Sequence, residues 1–392
     1  MRVLQFVADG APGGGTNHVL QICRGLRKTA EVTLLTQQDS YLQREASELG
    51  IEVVTGDFFR SRVDRAAIKL VEQTIEQCRP DLIHCHGGRA AFFCSRVRDT
   101  PPTAYTVHGF HFARKPCAAR LAGWAGEFWS IRRSDQIIFV SGYDRQLAQR
   151  YRLLPRKKPY RVIHNGIPKP EIADTHNNKA TRGIGFVGRM VVQKNPQLFV
   201  EVVRRLPQDI KAVMVGGGEL EDEVTKLVKS SGLEGRIELA GGLAHDEALH
   251  VLSQLDVLVM TPRWEGLPLL PLEAMHLNVP VVSTSCGGIP EIIEHRVTGM
   301  LAKAEDADEL ATHVQSLLAD EKLRSRIISN AHRQVCERFA ESTMLRCTQD
   351  VYDGMLHRAQ AADTVIRTGV NRETGWLDRL VAPFRRTRQL NG

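Results

Sequence analysis

DVLVMTPRWEGLPLLPLEAM, residues 256–275, opens as a short apolar run, passes through a loop holding Glu265, and continues as an apolar helical stretch with Glu273 near its first turn. A short strand followed at once by a helix is the building unit of a parallel sheet covered by helices. The two glutamates are out of place among leucines. Carboxylates avoid burial unless they gain hydrogen bonds, so their position points to a polar ligand at the carboxyl end of this strand.

Outward from this stretch the same unit recurs. Upstream, RVLQFVA (2–8), EVTLLTQ (31–37), IEVVTG (51–56), DLIHCHG (81–87), TAYTVHG (103–109) and QIIFVS (136–141) are short, apolar and bounded by turn formers, with helix-like spacers between them. The pattern restarts with RVIHNG, GIGFVG, KAVMVGGG, RIELAGG, DVLVMT and PVVSTS. The expectation is an α/β chain of two Rossmann-like, doubly wound domains, residues 1–168 and 169–354. The polar, proline-marked segment 165–183 reads as the linker, and a C-terminal helix over about 355–392 is expected to rejoin the first domain.

Composition narrows the function classes. The 392 residues exceed what a single core usually organises. With 42% hydrophobic and 25% charged residues the chain is of the globular type, and it contains no uninterrupted apolar run long enough to span a bilayer. Its eight cysteines include no CxxC pair, which reads as reduced thiols in a cytoplasmic protein. Residues 1–170 carry 26 Lys plus Arg against 15 Asp plus Glu, so the net charge of +7 is concentrated in the first half. Without a nucleic-acid module, that surplus suits an anionic membrane surface or a phosphorylated substrate better than DNA or RNA.

Ligands of open parallel sheets sit beyond the carboxyl ends of the strands. There, Gly13, Gly14 and Gly15 precede a helix and can bring backbone N–H groups to an anion. They do not form a dinucleotide fingerprint, because His18 stands where the third glycine belongs and the second strand ends in TQQ rather than in an acid. GFVGRMVVQKNP (185–196) ends a strand at Gly188 and then supplies Arg189 and Lys194, a planar fork and a mobile point charge suited to a diphosphate. His84 and His86 share one side of a strand, but no third metal ligand at plausible spacing is evident. The DAD at 306–308 reads as a helix N-cap rather than a metal motif.

EGLPLLPLEAM resembles the signature of retaining nucleotide-sugar glycosyltransferases of family 4, which have the two-domain GT-B fold with a central cleft. Nearly the whole chain shares the likeness, through GGG at 13–15, VHGF at 107–110, VS at 140–141, HNGI at 164–167, GR…K at 188–194, GGIPEII at 287–293 and TGML at 298–301. The resemblance implies that Glu265, with the adjoining Gly266, meets the donor sugar and Glu273 the ribose hydroxyls. It assigns the diphosphate to Arg189 and Lys194, with backbone help from Gly188, Leu269, Leu270 and the Gly13–Gly15 loop, and sets His108 beside the donor sugar. Pro268 and Pro271 depart from the usual pattern, and Pro268 removes one backbone donor.

The activity so implied is transfer of a sugar with retention from a nucleoside-diphosphate donor, UDP before GDP, to a glycan or lipid-linked acceptor. Surface polysaccharide or lipopolysaccharide synthesis would be its setting. No cofactor and no essential metal are expected, since cationic side chains and helix N-termini can take up the leaving group's charge. A sugar-nucleotide epimerase on the same fold would need acid and base residues for elimination. A non-catalytic relative should have lost Arg189, Lys194 or Glu265, and all three are present. The basic run RYRLLPRKKPYR (150–161) and the tail WLDRLVAPFRRTRQL (376–390) suggest peripheral attachment to the inner membrane face.

Overall fold

A computed structural model of the chain describes residues 1–61, 64–114, 116–168 and 183–368. Most of the anticipated linker and the whole tail 376–390 lie outside the described residues. The chain divides into two compact units. Of the described residues, one comprises those within Met1–Val140, Arg145–Ile163 and 345–368, the other those within Ser141–Asp144 and His164–Met344.

The first unit is built on seven parallel strands: β1 (Arg2–Val7), β2 (Glu31–Gln37), β3 (Glu52–Gly56), β4 (Leu82–His86), β5 (Thr103–Val107), β6 (Gln136–Phe139) and β7 (Tyr160–Val162). They are ordered β3-β2-β1-β4-β5-β6-β7. The strand order reverses between β1 and β4, and the crevice at such a reversal is where ligands bind in open α/β sheets. β4, β5 and β6 are buried at every position, as sheets covered on both faces require. Phe6, Phe58, Phe93, Tyr105 and Phe139 fill the core. Helices start where side chains can take up their first N–H groups: Ser40 accepts from Gln43 N before Tyr41–Glu48, and Asp64 from Ala66 N before Arg65–Cys78.

The second unit repeats the plan with β8 (Ile184–Val187), β9 (Ala212–Val215), β10 (Ile237–Gly241), β11 (Val257–Met260), β12 (Val281–Thr284) and β13 (Met300–Ala302). Their order is β10-β9-β8-β11-β12-β13. Phe186, Phe199, Met214, Val259 and Leu310 are among its core residues. Asp306 accepts from Glu309 N at the start of the helix Ala307–Ala319, so the DAD is a cap.

Two sequence readings need correction. RVIHNG does not open the second set of strands: its first residues belong to β7, which pairs with β6 at the edge of the first sheet. All three β7 residues are exposed, so no burial pattern marked its allegiance. β13, which begins inside the TGML motif and ends at Ala302, was not anticipated as a strand, and at three residues it is too short to show periodicity.

Candidate active site

In the second unit the strand order reverses between β8 and β11, and the loops leaving these neighbours are stapled together. Thr261 Oγ1 donates to the carbonyls of Lys194 (3.0 Å) and Asn195 (2.9 Å), and Arg263 N donates to Gln193 O (2.8 Å). Asn195 takes a left-handed backbone, φ 52°, which turns the chain into the helix Pro196–Arg205 with proline in its first turn.

This stapling sets Lys194 and Glu265 face to face. Lys194 Nζ donates to Glu265 Oε1 at 2.6 Å, while Gln193 Nε2 reaches Glu265 Oε2 at 3.2 Å and Trp264 O at 3.1 Å. Glu265 is buried, 8% exposed, and the Lys194 side chain keeps 20% exposure, so the ammonium is the solvent-facing member of the pair. The chain behind Glu265 is equally constrained. Gly287, at φ +57°, lies against the Glu265 carbonyl so closely that a Cβ would overlap it, and Gly288 N donates to Gly266 O at 2.9 Å. Asn165 Nδ2 fixes the next residue through Leu267 O at 2.7 Å.

Glu273 sits on the short helix Leu270–His276, which begins just after Leu269 and has Pro271 in its first turn. Burial pushes its carboxyl above the usual carboxylate range, and the nearby His245 and Lys194 only partly oppose the shift. His245 Nε2 is 3.9 Å from Glu273 Oε1. Gly188 follows β8 with φ 144°, and Arg189 beside it is exposed. Lys194, Glu265 and Gly266 are thus in one constellation, with Glu273 close enough to feel the lysine's charge.

The remaining sequence-predicted residues belong to the first unit. Gly13 caps and Gly14 begins the helix Gly14–Leu26, with open space around Gly13 and Gly15. Gly13 has an extended backbone, φ 166°, so room rather than left-handed geometry is what glycine supplies there. His108, half-buried just beyond β5, packs with His18 and His86 at ring-centroid distances of 4.9 Å and 5.6 Å. One ring nitrogen from each of the three lies within 4.8 Å of the others. The sequence showed no third ligand at plausible spacing beside His84 and His86; the fold brings His18 and His108 to His86 from a different helix and from the end of a different strand, which spacing along the chain cannot disclose.

Sequence reasoning also missed Gln193, His245 and Glu291. Burial tends to raise the Glu291 carboxyl, but hydrogen bonds from His164 Nε2 and from the backbone N–H groups of Gly142 and Tyr143 prevail and hold it below its ordinary value. GGIPEII contained Glu291, yet nothing local announced its three donors.

A buried carboxylate held by a lysine, a second carboxyl with a raised pKa and an exposed arginine can receive a ligand carrying both hydroxyls and negative charge. Comparisons with known proteins show which family the chain resembles. Residues 12–169 match the model described as Glycosyltransferase Family 4, and residues 169–334 the one described as Glycosyl transferases group 1. The alpha-D-kanosaminyltransferase of Streptomyces kanamyceticus is 25% identical over 271 residues, 63% of this chain and 70% of that one. The UDP-Gal:alpha-D-GlcNAc-diphosphoundecaprenol alpha-1,3-galactosyltransferase of Escherichia coli is 23% identical over 297 residues, 70% of this chain and 76% of that one. Among solved structures, Anabaena HepE in complex with UDP-glucose superposes with a TM-score of 0.78 at 20% identity, over 90% of this chain and all of that one, which establishes a common fold. With both halves matched in order by glycosyltransferase models and this fold shared, the chain belongs to the glycosyltransferases of the family 4 type.

Proposed function

We propose that the protein is a retaining glycosyltransferase that moves a sugar from a nucleoside-diphosphate donor, UDP in the first instance and GDP in the second, to a glycan or lipid-linked acceptor of surface polysaccharide or lipopolysaccharide synthesis. The observation that carries this reading is the 2.6 Å pair between Lys194 and the buried Glu265 at the β8/β11 strand ends. As the bond to the anomeric carbon breaks, positive charge grows on the sugar and negative charge on the departing diphosphate. Glu265 faces the former and Lys194, with Arg189, the latter, so the charges that develop in the transition state meet opposite charges already in place. Glu273, whose carboxyl burial pushes above its ordinary range, is placed to accept hydrogen bonds from the ribose hydroxyls.

Retention follows if the acceptor attacks from the face the phosphate vacates, with a phosphate oxygen taking its proton; Glu265 then orients the donor and forms no covalent bond. The alpha linkage in the names of both relatives supports this, because an alpha product from an alpha-configured nucleotide sugar is retention. The donor choice is supported by the UDP-glucose bound to HepE, and a lipid-linked acceptor by the diphosphoundecaprenol of the E. coli relative. We also propose that no metal is needed, the cationic side chains serving in its place.

Association with an anionic membrane face is part of the same reading. On the helix Cys117–Arg133, Leu121 is 67% and Trp129 41% exposed beside Arg120, Arg132 and Arg133, a mixture suited to a charged interface. No described helix is long and apolar enough to cross a membrane.

The test is a screen of UDP- and GDP-sugars with lipid-linked acceptor in the presence of EDTA, reading the anomeric configuration of the product by NMR. Transfer with an inverted product, or transfer that stops with EDTA and returns with a divalent ion, would overturn the corresponding part. Sedimentation with anionic and neutral liposomes at low and high salt tests membrane binding, which should fall as screening increases.

A further inference from the structure

Three histidines of the first unit converge at the carboxyl ends of its strands. His86 closes β4, His108 follows β5, and His18 comes from the helix Gly14–Leu26. Their facing ring nitrogens, one from each, are all within 4.8 Å of one another. His86 Nδ1 stands 3.4 Å from His108 Nε2. That is longer than the roughly 2.7–3.2 Å of an N–H hydrogen bond. It matches the separation of about 3.3–3.4 Å between two nitrogens held at about 2.05 Å by one tetrahedral zinc ion.

The surroundings of His86 suit a ligand. Gln5 Nε2, on β1, donates to Tyr352 Oη at 3.0 Å, so the Gln5 carbonyl oxygen faces His86 Nε2 at 2.8 Å. His86 therefore holds its proton on Nε2 and turns the lone pair of Nδ1 toward His108. A carbonyl behind a ligating histidine is the common arrangement at zinc, because it fixes both the tautomer and the ring plane. Gln5, His86 and Tyr352 are all buried, and burial keeps the His86 ring neutral, the form that binds a cation. His18 is buried as well, whereas His108 is half-buried and leaves an ion a way in.

We propose that His18, His86 and His108 form a zinc site of the first unit, with His86 Nδ1 and His108 Nε2 among the ligands, water in the fourth position, and Gln5 as the positioning residue that aims His86. The ion replaces hydrogen bonds that the ligand nitrogens make in its absence, and His18 closes the remaining distance by turning its ring. Three imidazoles favour zinc over magnesium or calcium, which take oxygen ligands. Bound there, the ion ties the ends of β4 and β5 to the helix Gly14–Leu26, so its effect falls on the stability of this unit. Lys194 and Arg189, assigned to the diphosphate, belong to the second unit, and the zinc site is independent of the transfer chemistry.

Calorimetric titration of the EDTA-stripped full-length protein with zinc chloride reads the site without any substrate. One zinc ion per chain with a Kd below about 10 µM is expected, together with a rise in unfolding temperature that magnesium chloride does not give. His108→Gln should weaken binding at least about a hundredfold, and Gln5→Leu, which keeps all three ligands, by about 10- to 100-fold. His313→Gln, in the second unit, should leave binding unchanged. Should His18→Gln or His86→Gln fail to fold, His108→Gln at the half-buried position still decides. No uptake of stoichiometric zinc, uptake that His108→Gln leaves intact, or uptake lost equally in His313→Gln overturns the site.

Discussion

Replacing Lys194 by alanine separates two consequences of the same ammonium group. Glu265 is 8% exposed and its Oε1 is 2.6 Å from Lys194 Nζ. At an effective dielectric near 20 the attraction is about 6 kcal/mol before desolvation is charged against it. Removing one member of a buried pair typically costs about 3–5 kcal/mol because the other is left unmatched. Lys194 is itself 20% exposed, so water can enter behind the truncated side chain, and Gln193 Nε2 still donates to the carboxylate. The lower end, about 3 kcal/mol, is therefore expected for Lys194→Ala. Pairing it with Glu265→Gln removes the stranded charge and should restore about 2 kcal/mol. Affinity for UDP should behave differently, falling roughly 10- to 150-fold in both the single and the double variant, the equivalent of about 1.5–3 kcal/mol for a lost charged contact. Denaturant unfolding gives the first quantity, and calorimetry with UDP and with uridine the second; uridine binding should hardly change. If the double variant recovers UDP binding along with stability, Lys194 only neutralises Glu265 and the assignment to the diphosphate is refuted.

Three further outcomes are expected. Glu265→Gln should lower kcat on the order of a hundredfold, whereas Glu273→Gln should act mainly on the donor's KM; equal changes in both parameters for both variants would contradict the division of labour. Gly287→Ala, at φ +57° with the Glu265 carbonyl in the way, should cost more than about 2 kcal/mol and reduce turnover with it, as thermal unfolding and initial rates would register. Acid should destabilise the first unit through its buried histidines. Burial pushes His84 down to about 3 and holds His86 low as well, so below about pH 6.5 the unfolded chain binds protons that the folded chain refuses. That stability is complete above the unfolded pKa and declines as pH falls toward the folded values, by about 2 kcal/mol for His84 at pH 5, with His86 acting in the same direction. In His84→Gln the slope of stability against pH between 6.5 and 5 should flatten by nearly one proton, whatever the variant's absolute stability, and an unchanged slope would contradict the assignment.

The sequence by itself determined both sheets in outline and most of the polar residues at their strand ends. A strand buried on both faces is largely apolar, and that requirement is local, so RVLQFV, TAYTV and VLVM declare themselves wherever they stand. Polar residues at the ends of such runs, Lys194 and Glu265 among them, stand out against the same background. Tertiary structure alone decided which sheet received β7, because an exposed three-residue edge strand carries no burial signal and its partner is chosen by backbone pairing. It alone set Lys194 on Glu265, since the lysine follows β8 and the glutamate β11, and only the strand order makes those two neighbours. The histidine cluster is the extreme case: His18, His86 and His108 come from a helix and from the ends of two different strands. Each looks locally like an ordinary residue, and the rings meet only when crossovers between strands have brought their elements together.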